Sequence, residues 1–210
     1  MRVNDIADRV YLVNLDKRKD RMDTVSQRLA NVGIEYERFP AIDGNAVINN
    51  TYMNAGQFGN YLSNVKVLER CLNDGVNTVA IFEDDVEFRP DFQERLDRLY
   101  PMIPSNWDMI YLGHNHVASE DIEIPNTGIV RVLRAYAIHA IIMNRRTIEI
   151  AYNDFIARPM QADVYYSQLQ YHIKAYGFSE QLCSQAPDWS DIDQKFVDHR
   201  WIFGWQGQNT

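Results

Sequence analysis

At 210 residues the chain is long enough to bury a sizeable core and short enough to be one domain. Its composition, 46% hydrophobic and 24% charged with 12 Tyr, 9 Phe and 4 Trp, is that of an aromatic-rich globular protein. A net charge of −8 argues against a general nucleic-acid binder, which needs a basic face, but leaves room for a small anion held by local arginines or a metal.

The two cysteines, Cys71 and Cys183, lie far apart and form neither a disulfide framework nor a metal-ligand spacing. The opening, MRVNDIADRV, has no long apolar core and reads neither as a signal peptide nor as an anchor. No run approaches the roughly 18 apolar residues of a spanning helix. The expectation is a soluble, cytoplasmic protein with no membrane span. In that setting Asn49-Asn50-Thr51 matches the glycosylation pattern only by chance.

RVYLVNL at 9–15 is rich in β-branched and aromatic residues and predicts a strand. A helix follows over about 17–32, with Met22, Val25, Leu29 and Val32 on one face and Gly33 as its stop. A short strand over 35–39 ends at Pro40, completing a βαβ-like opening. Asn- and Gly-rich 43–59 reads as loop, and about 60–73 as a helix ended by Gly75. Residues 76–82 are an unbroken apolar strand suited to the sheet centre. A helix over 91–100 and a strand over 108–112 come next. Residues 114–127 read as loop, then 128–134 and 136–144 as two antiparallel strands. A helix over 145–157, a short helix near 163–171, a strand near 173–178 and a long polar tail complete the chain. The pattern is α/β, first parallel and later mixed.

VAIFEDDVEF at 79–88 runs a buried strand straight into Glu83, Asp84 and Asp85. Ligands of open α/β sheets collect at such strand ends. Alternation along extended backbone would place Glu83 and Asp85 on one side and Asp84 on the other. Two carboxylates on one side suit a hard divalent cation, which would also relieve their repulsion. A solvated acidic turn is the competing reading. NLDKRKDRMD at 14–23 enters the first helix, and its Arg18, Lys19 and Arg21 add positive charge at a helix start, a place where anions bind. A nucleotide diphosphate fits there, as does a solvated helix face. Neither a GxGxxG nor a P-loop motif is present.

These segments, taken in order, resemble glycosyltransferase family 25, which includes bacterial lipooligosaccharide galactosyltransferases and the transferase domains of procollagen galactosyltransferases. The resemblance rests on VYLVNLDKRKDRMDTVSQRLANVGIEYERFPAIDG (10–44), GQFGNYLSNVKVLERCLNDG (56–75) and VAIFEDDVEF. WDMIYLG (107–113), AYAIHAIIMN (135–144), MQAD (160–163) and QAPDWSDID (185–193) follow in order. The chain departs from the family pattern at Gln57, where Glu is usual, and at Asn64, where His follows Ser63. At Arg134-Ala135 the family commonly has small polar residues.

The resemblance implies a GT-A type, Rossmann-like mixed sheet flanked by helices in a single domain, 1–210. A nucleotide-sugar half would cover about 1–112 and an acceptor half about 113–210. It implies a metal-dependent inverting transferase moving a sugar, usually galactose, from a UDP-sugar to a hydroxyl of a glycan or of hydroxylysine. Mn²⁺ or Mg²⁺ would be held by Asp85, with Glu83 on metal or ribose and Asp84 near the donor sugar or supporting the groups that touch it. Asp163 is the first candidate for general base and Asp191 the second; a purely structural role competes for each, capping of the next helix in the case of Asp163. Asn14, Arg18, Arg21, Asp43, Ser63, Lys66, Gln185 and Ser190 are donor-site candidates. His114 and His116 have the spacing of a metal pair without a third local ligand, and His199 is a late candidate ligand. Trp201, Phe203 and Trp205 suggest a packed strand or a sugar-stacking wall. A non-catalytic nucleotide-sugar or glycan-binding protein with the same fold is the alternative, and a Mg²⁺-dependent phosphoryl-transfer enzyme is a third reading.

Overall fold

The computed structural model describes residues 1–116, 122–192 and 194–198. His199 and the aromatic tail lie outside them. The chain opens with α1 (Val3–Ile6), β1 (Arg9–Leu15), α2 (Lys19–Asn31) and β2 (Glu37–Ala41). A 3₁₀ turn (Gly44–Ala46) leads to α3 (Ala55–Asn73), β3 (Thr78–Glu83), β4 (Val86–Phe88) and α4 (Phe92–Leu99). Short strands follow: β5 (Met109–Tyr111), β6 (Asn115–His116), β7 (Ile122–Ile124), β8 (Ile129–Arg131) and β9 (Ala135–Tyr136). Then come β10 (Ala140–Asn144), α5 (Arg145–Ala157), α6 (Ala162–Leu169) and β11 (Ala175–Phe178). β12 (Cys183–Gln185), β13 (Asp188–Ser190) and β14 (Lys195–Val197) occupy what the sequence presents as a polar tail.

Eight strands form one mixed sheet in the order β2-β1-β3-β10-β5-β11-β8-β7. β2, β1 and β3 run parallel, and β10 is antiparallel to both β3 and β5. Strand alternation sorts the core into two layers. Val79 and Ile81 face α3, α5 and α6 through Val65, Leu68, Ile148, Phe155 and Tyr166. Ala80 and Phe82 face α2 and α4 through Val25, Leu29, Phe92 and Leu96. This is the mixed α/β sheet flanked by helices that the sequence predicts.

Three expectations change. Pro40 does not end its strand: it pairs opposite Asn14 on β2, an edge strand, where a missing N–H costs nothing. α3 starts at Ala55, five residues early, because Asn54 and Gln57 form a reciprocal capping box. The family departure at Gln57 therefore falls on a helix cap, a task Glu and Gln both perform. Residues 128–144 are not a hairpin. β8 pairs with β11 and β7, whereas β10 crosses to lie between β3 and β5. The break falls where Ala137 takes a left-handed φ of 67°.

The β2–α3 connection is packed backbone on backbone. A Cβ on Gly59 would lie 2.5 Å from the Ile42 carbonyl oxygen and 2.8 Å from the Gly44 nitrogen. Alanine in a helix interior ordinarily gains about 1 kcal/mol over glycine. Here Gly59→Ala is expected to destabilise by about 1–3 kcal/mol in urea unfolding, as overpacked sites do. A neutral or stabilising result would show that this contact yields readily.

Candidate active site

Because β1, β2 and β3 are parallel, their carboxyl ends reach one edge of the sheet together. A cleft of about 280 Å³ opens there. Seven carboxylates line it, those of Asp43, Glu83, Asp84, Asp85, Asp163, Asp188 and Asp191, against two cations, Lys17 and Arg21. Ser63, Gln185 and Ser190 line it as well. Of the residues singled out in the sequence, Asn14, Arg18 and Lys66 are not part of the lining.

The acidic triplet does not alternate along a strand. β3 stops at Glu83, and Asp84 and Asp85 form the turn into β4. Each carboxylate has a different partner. Asp84 is 8% exposed, and both its oxygens are engaged. Asn14 donates to Oδ2 at 2.8 Å and Arg21 to Oδ1 at 2.8 Å. Glu83 accepts from the Asn60 amide at 3.1 Å, and Asn64 donates to the Asn60 carbonyls on the same helix. The family departure at Asn64 thus lies one hydrogen bond behind the Glu83 partner. Asp85 accepts from Gln185 at 3.2 Å through Oδ2, while its Oδ1 is buried without a hydrogen-bond partner.

Burial and crowding mark the electrostatics. Burial, then repulsion from Asp84, pushes the Asp85 carboxyl up to about 6, with Arg21 and Gln185 opposing. Burial, then Asp85 and Asp163, raises Glu83 well above the usual carboxylate range. Burial would also raise Asp188, but the Trp189 amide, Arg21 and Arg18 outweigh it and hold it low.

The arginines at the start of α2 are clamped. Arg18 donates to Asp191 at 2.7 Å, Asp188 at 2.8 Å and Asp20 at 3.0 Å. Arg21 donates to Asp84, to Asp188 at 2.8 Å and to the Trp189 carbonyl at 2.8 Å. Asp191, a base candidate by sequence, is thus committed to Arg18. Asp163 lines the cleft from the first turn of α6 and acts electrostatically on Glu83. Ser63 accepts from the Ile42 amide and donates to the Gly59 carbonyl, so its hydroxyl fixes the cleft wall. Asp43 pairs with Lys17 at 2.7 Å and accepts from the Asn45 amide.

Lys66 departs from expectation. It points along the outer face of α3, pairs with Glu69 at 2.7 Å and borders a separate groove with Arg70 and Asp74. His114 is buried with its ring 5.8 Å from that of Tyr111, away from the cleft. Among the described residues no group of three His, Cys, Asp or Glu is placed to hold a metal. A cation would fit only with one or two protein carboxylates, Asp85 foremost for its partnerless buried oxygen, and would take its other oxygens from a phosphate-bearing ligand. Asn60, Asp188 and Lys17 were missed by sequence reasoning. Two clustered arginines in an acidic chain were a signal that acidic partners exist, though not which ones.

Comparisons place the chain among known proteins. The family profile described as glycosyltransferase family 25 (LPS biosynthesis protein) matches residues 7–178. Human procollagen galactosyltransferase 2 is 26% identical over 144 residues, 57% of this chain and 23% of that protein. Human inactive glycosyltransferase 25 family member 3 is 29% identical over 135 residues, 54% of this chain and 23% of that protein. The matched region thus spans less than a quarter of the length of these relatives. A solved glycosyltransferase involved in glycosylation of the major capsid of PBCV-1 aligns with a TM-score of 0.48 at 8% identity, covering 84% of this chain and 90% of that one. With the profile matched across most of its length, the chain belongs to glycosyltransferase family 25.

Proposed function

We propose that this protein is an inverting glycosyltransferase that moves a sugar, galactose being the first to test, from a UDP-sugar to an acceptor hydroxyl of a glycan or of hydroxylysine. The observation that carries the reading is the cleft itself. A buried carboxylate oxygen without a partner, on Asp85, and a second carboxylate, on Asp163, share one cavity at the strand ends. Family membership supports the reaction class.

Inverting transfer is one displacement. The acceptor oxygen forms a bond to the anomeric carbon as the bond to the UDP oxygen breaks, and the acceptor proton leaves to a base. Asp163, which lines the cleft, is our first choice for that base, and Asp191, which accepts from Arg18, the second. Mn²⁺ or Mg²⁺, held by Asp85 and the donor phosphates, would offset charge developing on the leaving diphosphate. Glu83, steadied by Asn60, borders the same space for the ribose or the cation. Asp84 organises the turn through Asn14 and Arg21. A nucleotide-sugar half and an acceptor half would meet at this cleft. β10 of the second half lies between β3 and β5 of the first, so the halves share one sheet.

Three outcomes follow from these roles. With UDP-sugars and Mn²⁺, UDP release by Asp85→Ala should fall about 10²–10³-fold, the scale of lost electrostatic stabilisation. Near-normal turnover would remove Asp85 from the site, and no turnover of any UDP-sugar by the wild type would favour a non-catalytic binder. Asp163→Asn should bind UDP as the wild type does yet lose transfer by roughly 10²–10⁴-fold. If Asp191→Asn shows that pattern instead, the base is Asp191. The third outcome concerns the ligand-free protein. A carboxyl raised on folding stabilises the folded state below its unfolded pKa of about 3.9 and stops doing so as pH rises through its folded value. For Asp85 that window closes near about 6. The melting temperature of Asp85→Asn should therefore gain on the wild type between pH 4 and 7, by roughly 5 °C. A constant difference across that range would show that the Asp85 charge is not penalised by folding.

A further inference from the structure

Every guanidinium nitrogen of the two arginines nearest the acidic turn already donates to a protein oxygen. Nε, Nη1 and Nη2 of Arg18 donate to Asp20, Asp188, Asp191 and the Trp189 carbonyl. Nε, Nη1 and Nη2 of Arg21 donate to Asp188, Asp84 and the Trp189 carbonyl. Apart from Asp20 and Asp84, every one of these acceptors lies on β13 or the residue after it. A single oxygen, Asp188 Oδ2, accepts from both guanidiniums.

β13 and β14 form a two-stranded hairpin outside the main sheet. The chain is fixed up to Ala186, whose amide donates to the Asp85 carbonyl at 2.8 Å, and β12 is paired to β4. Pro187 then separates this anchored strand from the hairpin. Asp188, Ser190 and Val197 face the cleft, whereas the cross-strand pair Trp189 and Phe196 is 50% and 66% exposed. One face of the hairpin thus rests on the arginines and the other meets solvent. While it stays shut, seven carboxylates face two cations, a field that repels a diphosphate. Opening it removes Asp188 and Asp191 from the cleft and uncovers both guanidiniums, whose planar forks match phosphate oxygens.

We propose that Asp188 and Asp191 are an internal stand-in for the donor diphosphate: they latch the β13–β14 hairpin onto Arg18 and Arg21, and an entering diphosphate takes over those guanidiniums and releases the hairpin. The inference rests on the nucleotide-sugar reading above and adds to it a gate. The anion that the site binds is the key that opens it.

The test is hydrogen exchange at the amides of β13 and β14, with UDP binding followed in parallel by calorimetry in Mn²⁺. In the wild type, saturating UDP should speed exchange in the hairpin. Asp188→Asn/Asp191→Asn should show that faster exchange without UDP and bind UDP roughly tenfold more tightly, since the competent state no longer has to be opened. Should the double variant fail to fold, Asp188→Asn alone removes the oxygen shared by both arginines and permits the same comparison. UDP that binds while hairpin exchange is unchanged or slowed overturns the latch and leaves the donor reading standing. Hairpin exchange equal in variant and wild type without UDP also overturns it. If calorimetry shows no UDP binding by either protein, the donor reading falls and the latch with it.

Discussion

Like charges gathered at the end of parallel strands are the constraint on which this structure depends. Parallel β1, β2 and β3 must deliver their carboxyl ends to one edge, and this chain places Asp43, Glu83, Asp84 and Asp85 there. Such a cluster is tolerated only if each carboxylate is paired, hydrogen-bonded or protonated. The three acidic neighbours divide these solutions. Asp84 is paired with Arg21, Glu83 is hydrogen-bonded by Asn60 and raised, and Asp85 is raised and accepts from Gln185 through one oxygen while the other is buried without a partner. The division turns a run of equivalent side chains into positions with different chemistry.

The rest of the fold can be read as support for that edge. α3 approaches the β2 loop so closely that Gly44 and Gly59 touch backbone to backbone, which brings Asn60 to Glu83 and Ser63 to Ile42. β12 pairs with β4 and carries Gln185 to Asp85. α6 begins at the cleft with Asp163 in its first turn. Arg21 links the acidic turn to β13, so the first helix and the last hairpin share one electrostatic network.

Much of the architecture was legible in the sequence where periodicity is strong. Strand 9–15 and helix 145–157 fall where their patterns place them. The errors have physical causes. Two glycines and several asparagines hid the first turn of α3, although Asn54-x-x-Gln57 is a capping signal. Pro40 suggested a stop because edge position cannot be read locally. β12, β13 and β14 are three residues each, too short for a period to show. The site was legible in its members more than in their relations. Glu83, Asp85, Arg21, Asp163, Gln185 and Ser190 do meet in one cleft. Lys66 does not: it lies one turn farther along α3, pairs with Glu69 and borders a separate groove. The partners that Arg18 and Arg21 find on β13 and just after it lie 167–173 residues away along the chain, and no local pattern names them.

In the proposed function, the acidic strand end becomes favourable when a divalent cation and a diphosphate load it together. Titration of Mn²⁺ followed by electron paramagnetic resonance, with and without UDP, in the wild type and in Asp85→Asn, addresses this directly. Mn²⁺ binding should tighten strongly when UDP is present and be lost in the variant. Mn²⁺ binding that ignores UDP, or that Asp85→Asn leaves intact, would contradict that proposal.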